Sequence, residues 1–299
     1  MRKAVVFCVS LLLVSAVTAT AQEELSMAKA RIDRANARLA STGSNLRIVK
    51  ATFFTKGQGV PEYANLRIGA KWPYRNISYV VDGSDLTPDV PAAASTAAIV
   101  NGYNAWNAVD NTTVTATRIA DDGTNFDILD GTYDSAGQCV DLFDLTSPNL
   151  DLNSGQIFPA ADIVVGGWLP DTYFAGCLGS SSILAITFTF SDGDINADNY
   201  VDTLYVEQFY NERFAWVTGG STFLGPTEDI ESVAVHENGH ALGLDHVGGP
   251  VQNQPFKLQP NGKVFNPEAV MNPAYLGGEK RLLFNTDRAA LRTLYTNLH

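Results

Sequence analysis

The sequence predicts an α/β (α+β) fold, a mixed sheet with helices packed on it, and three observations carry that prediction. In "AAASTAAIVNGYNAWNAV", after Asp89-Val90-Pro91, the apolar residues Ile99, Tyr103, Trp106 and Val109 recur at helical spacing despite Gly102. Short β-rich pieces then follow one another between Asp, Gly and Asn residues: "TVTATRI", "FDIL", "ADIVVGGW", "SILAITFTF" and "TLYVEQFY". Pro226 to Leu244 reads as a second helix, with Glu228, Asp229 and Glu231 near its N-terminus, where the helix dipole favours negative charge. Hydrophobic residues make up 45% and charged residues 17% of the 299, enough apolar surface to bury a core.

Element by element, residues 1–21 carry Arg2 and Lys3, an apolar run from Ala4 to Val17, and Ala19-Thr20-Ala21, the pattern of a cleaved secretory signal. Residues 22–69 form an N-terminal extension or propeptide, opening on helix formers over 23–40 with Gly43 as a stop. The main domain, 70–299, opens at "KWPYRNISYVVDG", in which Ile77 to Val81 reads as a strand. A third helix runs from about Thr286, a suitable N-cap, to Tyr295.

Loss of the signal leaves 18 basic against 32 acidic side chains, a charge of −14. That balance argues against nucleic acid or an anionic membrane as partner, and the mature chain is expected to be secreted or periplasmic without a membrane span. Cys139 and Cys177, the two cysteines beyond the signal, are expected to form a disulfide in an oxidising compartment.

Three of the chain's four histidines fall within "HENGHALGLDH". His236 and His240, at i and i+4 on a helix, project from one face and can share one ion, most naturally zinc. Glu237 lies beside the fourth coordination position, where a carboxylate can take a proton from a bound water. Gly243 can adopt the left-handed conformation that ends a helix, and His246 follows three residues later as a third ligand. Met271, in "AVMNPAY", comes 25 residues beyond His246.

"VAVHENGHALGLDH" with "VMNPAY" resembles the matrixin branch of the metzincin zinc proteases, the branch of the matrix metalloproteinases and their bacterial relatives. "KWPYRNISYVV", "NAWNAV", "ILAITFTF", "DTLYVEQFYN" and "TDRAALRTLY" also resemble matrixin strands and helices, so the likeness spans about residues 70–299. It implies a metzincin-like zincin fold: a mixed twisted sheet, two long helices packed on it, an active-site helix, a methionine turn and a C-terminal helix. It further implies zinc on His236, His240 and His246, general-base work by Glu237, the methionine turn at Met271, and Pro273 and Tyr275 as the wall of the pocket for the residue after the cleaved bond. The partner is then a peptide or protein substrate, bound in extended form along an edge strand at about Ile183 to Phe190.

The chain departs from the family in having Val247 where serine is usual, and in lacking a cysteine in 22–69 that could cap the zinc. Only His299 remains as a further histidine, so a single zinc is expected. "SDGDINADNYVD" places Asp192, Asp194, Asn196 and Asp198 at alternating positions, either a calcium loop or a solvated acidic turn. A metzincin of another branch and a non-proteolytic zinc-containing binding module are the rival readings.

Overall fold

The computed structural model of the chain describes residues 26–56, 63–64, 69–247 and 269–296; the signal expected at 1–21 lies outside them. Seven strands define the main sheet: β1 (Arg47–Lys56), β2 (Asn76–Val81), β3 (Thr115–Arg118), β4 (Ile163–Leu169), β5 (Ile183–Ser191), β6 (Tyr205–Asn211) and β7 (Ala274–Tyr275). Their order is β7-β1-β5-β6-β4-β2-β3, with the short strand Tyr63–Ala64 also paired to β1. β5 runs antiparallel to both β1 and β6, whereas β6, β4, β2 and β3 are mutually parallel, so the sheet is mixed.

Alternation along the strands separates two cores. Phe54, Tyr79, Val81, Ile163, Val165, Ala185, Val206 and Tyr210 point to one face, and Phe53, Val80, Val164, Ile186 and Phe209 to the other. Both faces are covered, which is why these strands read as continuous apolar runs rather than as alternating ones. The first face packs against α2 (Ala92–Asn107), α4 (Ile230–Ala241) and α5 (Asn285–Tyr295). The second packs against helix 26–41 and the two segments that flank β4 in the chain, 119–162 and 170–182. Helix 26–41 is α1, and α3 (Asp171–Gly176) lies in the second of these segments. The Cys139–Cys177 disulfide ties the two segments together. Among the described residues no helix is long and apolar enough to cross a membrane.

The N-terminal extension is part of this architecture. α1 buries Ala28, Ile32, Ala35 and Leu39, an apolar stripe at spacings of four, three and four. Asn36 clamps it to β1 by accepting from Ile48 N (2.8 Å) and donating to Ile48 O (2.9 Å). Arg38 pairs with Asp141 in the segment between β3 and β4 at 3.2 Å. β5, expected to be an edge strand, is therefore flanked on both sides, because β1 supplies the backbone partners on its outer side.

Three local expectations are corrected. "FDIL" is irregular instead of a strand; Phe126, Ile128 and Leu129 are buried because the loop folds back on the sheet, with Ile128 N donating to Glu207 at 2.7 Å. The helix expected from Pro226 begins at Ile230, since Thr227–Asp229 pairs with Ala215–Val217 and Asp229 caps the helix through Ser232 N. Thr286 is inside α5, whose first turn is capped by Asp287 accepting from Phe284 N at 2.8 Å.

Gly102, an apparent weakness in α2, is where α2 crosses α4. A Cβ there would meet Asn238 Nδ2 at 2.6 Å and the Ala234 carbonyl carbon at 3.1 Å. Gly102→Ala should therefore destabilise the fold: overpacking costs about 1–3 kcal/mol, more than the roughly 1 kcal/mol that alanine gains in helix propensity. Denaturant titration measures the net loss; an unchanged midpoint would mean that the helices part at no cost.

Candidate metal centre and its cleft

α4 is buried on nearly every side, and side chains from other elements bond to both of its ends. At the N-terminus Asp229 accepts from Ser232 N (3.0 Å) and Ser232 Oγ (2.6 Å), and Arg281 clamps the same carboxylate through Nε (2.9 Å) and Nη2 (2.6 Å). At the C-terminus, where helix carbonyls lack partners, Trp72 Nε1 donates to Ala241 O (2.8 Å) and Tyr295 Oη to Leu242 O (2.9 Å). Trp106 Nε1 reaches Val235 O at 2.7 Å. A helix pinned at both ends and along its length can hold side chains in one geometry.

Gly243 then turns the chain with φ of +94°, and a Cβ on it would meet Ala70 O at 2.6 Å. The turn returns His246 to the helix face. The Nε2 atoms of His236, His240 and His246 form a near-equilateral triangle, with separations of 3.0, 3.1 and 3.2 Å. His236 Nδ1 lies 2.7 Å from Val270 O and His240 Nδ1 2.8 Å from Leu244 O. Each of these rings thus donates from Nδ1 to a carbonyl and leaves Nε2 as a lone pair. Burial is the main cause holding all three rings neutral; it brings His236 down to about 3, and the neighbouring imidazoles push His240 and His246 further the same way. Three lone pairs that face one another repel unless a cation lies between them, and about 3.3 Å is the ligand spacing of a tetrahedral ion with bonds of about 2.0–2.1 Å. The donor set fits a metal ion.

Glu237 is fully buried beside this triangle. Its Oε2 accepts from Thr187 Oγ1, while Oε1 has no protein partner. Burial raises its pKa to about 8 against the opposing pull of the Thr187 hydrogen bond. Behind Thr187 stand two further polar groups: Gln208 Nε2 donates to Thr187 Oγ1 (3.3 Å), and Tyr103 Oη donates to Gln208 Oε1 (2.9 Å). Thr187 and Gln208 are register partners on β5 and β6, so the sheet itself aligns the chain of groups that holds Glu237.

Met271 is buried beneath the helix, with Sδ 2.4 Å from where a Cβ on Gly239 would lie. Its position is held by Asp287, a buried carboxylate that accepts from Val270 N (2.9 Å) and Met271 N (3.2 Å). Pro273 and Tyr275 follow, both buried, with the Tyr275 hydroxyl donating to Gly278 O.

β1 crosses this site. Phe54 stacks on the His236 ring with centroids 3.6 Å apart and planes 10° apart, and lies 5.5 Å from the Tyr275 ring. Thr55 N donates to Pro273 O at 3.3 Å. On the other side of the triangle Lys50 Nζ donates to Leu244 O (2.9 Å) and pairs with Asp245. The strand runs antiparallel to β5 and parallel to β7, hydrogen-bonded to both.

The polar groups of the loop at 192–198 are engaged within the loop and by its neighbours. Asp194 accepts from Asp198 N (3.2 Å) and Asn199 N (3.1 Å), Asn196 donates to Asp202 (3.0 Å), and Asp198 pairs with Lys71 (2.5 Å); Asp192 is exposed. Among the described residues the groups of three His, Cys, Asp or Glu side chains able to share an ion are the histidine triangle and Asp82, Asp85 and Asp127. Of the residues around the triangle, Thr187, Gln208, Tyr103, Asp287 and Phe54 carry no motif of their own, and only the polarity of Thr187 and Gln208 inside apolar strands sets them apart in the sequence. Comparison with protein-family models and with curated proteins finds no match to this chain.

Proposed function

We propose that the chain is an exported zinc-dependent endopeptidase of the metzincin type, matrixin-like, described here in a latent arrangement. The observation that carries this reading is the triangle of three neutral imidazoles with a buried carboxylate beside it whose Oε1 is unengaged. Support for the metzincin-like fold comes from the mixed sheet, the two long helices on one face, the buried methionine under the histidine helix and the closing helix. The disulfide and the acidic balance fit export.

Zinc on His236, His240 and His246 would supply Lewis-acid polarisation of the scissile carbonyl and of the attacking water. Glu237 would take a proton at Oε1 from the water that adds to the carbonyl carbon and return it to the amine nitrogen as the peptide C–N bond breaks. Thr187, backed by Gln208 and Tyr103, keeps the carboxylate oriented through both transfers. β7 and β5 offer main-chain partners to an extended peptide, a β-augmentation mode that β1 itself now uses. Phe54 then occupies the pocket walled by Pro273 and Tyr275, so substrates with a large apolar or aromatic residue after the cleaved bond are preferred.

The test is cleavage of a broad peptide library by the chain from residue 22, before and after β1 is released, with zinc content measured. Cleavage that stops on chelation and returns with zinc supports the reading. A protein that holds one zinc and cleaves nothing after release of β1 is the zinc-containing binding module instead.

A further inference from the structure

On the face of the sheet opposite the histidines, five carboxylates gather where the surrounding charge is of one sign. Asp82 follows β2 and is fully buried; its Oδ1 accepts from Ser84 N (2.7 Å) and Ser84 Oγ (2.6 Å), and Oδ2 has no partner. Asp127, 1% exposed in the refolded "FDIL" loop, has no partner on either carboxylate oxygen. Asp85 brings a third oxygen, and one oxygen from each of the three lies within 4.8 Å of the others. Glu207 Oε2 and Asp130 Oδ1 beside them are also buried without partners. After burial, the influences on Asp127 are all acidic: Glu207, Asp82, Asp130 and Asp85.

Buried polar atoms almost always have partners, and like charges this close resist joint ionisation. Several orphaned carboxylate oxygens in one cluster therefore point to a cation. The backbone is also shaped around them. Gly166, in β4, leaves room that a Cβ would fill at 2.3 Å from Asp127 Oδ1, and Gly167, at φ of +85°, lets Asp85 O accept from Trp168 N at 2.6 Å. The strand pairing of β4 with β6 is interrupted between Val165 and Trp168, at these glycines.

We propose that Asp82, Asp85 and Asp127 bind a hard divalent cation of the calcium class, separate from the histidine centre and from the 192–198 loop. An all-oxygen, multiply anionic donor set selects calcium over zinc, and carbonyls and water complete its coordination. Its role is structural: it ties the end of β2, the approach to α2 and the segment between β3 and β4 to one point.

The experiment is calcium binding to the full chain from residue 22, stripped of calcium but loaded with zinc, by equilibrium dialysis and by Tm with and without calcium. Asp127→Asn, Asp85→Asn and Asp194→Asn are measured alongside; Asp85 is half-buried, so Asp85→Asn keeps the test valid if Asp127→Asn fails to fold. The expected result is one bound calcium and a Tm raised by several degrees in the parent and Asp194→Asn, with both effects lost in Asp85→Asn and Asp127→Asn. No calcium bound by the folded parent overturns the proposal, as does calcium lost in Asp194→Asn while Asp85→Asn retains it. Zinc content and peptidase activity are read separately, so failure here leaves the proposed protease function standing.

Discussion

Glu237→Gln is expected to abolish peptide hydrolysis, by roughly 10²–10⁴-fold, while the protein keeps its zinc and its fold. Glutamine has nearly the same volume, and its amide oxygen can still accept from Thr187, so the buried chain Tyr103–Gln208–Thr187 retains its end point. What it lacks is a base: an amide cannot take the proton from water at the Oε1 position. Burial already disfavours the carboxylate at 237, and removing the ionisable group should leave stability unchanged or slightly raised, as is common where function holds a group in an unfavourable setting. His240→Ala, by contrast, removes one side of the triangle and should lose zinc together with activity. Zinc analysis alongside peptide cleavage separates the two variants. Retained activity in Glu237→Gln would assign the proton transfer to another group and remove the mechanistic basis of the proposed function.

The convergence of the three histidines is legible in the sequence because it is local. Helical spacing brings His236 and His240 to one face, and a glycine able to take positive φ returns His246 three residues later. The mixed sheet and the order of its helices are legible for the same reason, from apolar runs and their breaks. What is not legible depends on pairing between distant segments. Thr187 and Gln208 meet only through strand register, and each alone is a polar residue in an apolar strand. Asp127 is misread because Phe126, Ile128 and Leu129 look like a strand, although their burial comes from a folded-back loop. Residues 47–56 show no sign of their place in the sheet because it depends on pairing with β5 and β7, and neither is nearby in the chain.

That strand yields the second large effect. Removing residues 22–56 should raise peptidase activity at least tenfold over the longer chain, and a synthetic peptide of residues 47–56 should restore inhibition by competing with substrate. The expectation rests on what β1 buries and where: Phe54 is 2% exposed, stacked on a proposed zinc ligand, while Lys50 anchors the far side of the same cleft. Truncating a buried phenylalanine costs about 3–5 kcal/mol, which corresponds to roughly 10²–10⁴ in the population of the displaced strand. The Phe54→Ala peptide should therefore inhibit more weakly by a comparable factor. Phe54→Ala in the longer chain should raise its activity without proteolysis, which keeps the test open if loss of α1 exposes too much of the second core for the truncated form to fold. Burial alone does not distinguish an inhibitory strand from a permanent one, since Phe53 on the opposite face is buried as deeply. Activity does: Phe53→Ala loosens the same strand from the other side, but only Phe54 stacks on His236 and lies against Tyr275. If the truncated protein folds, holds zinc and cleaves no faster than the longer chain, β1 is a structural strand and substrate must reach the histidines by another path.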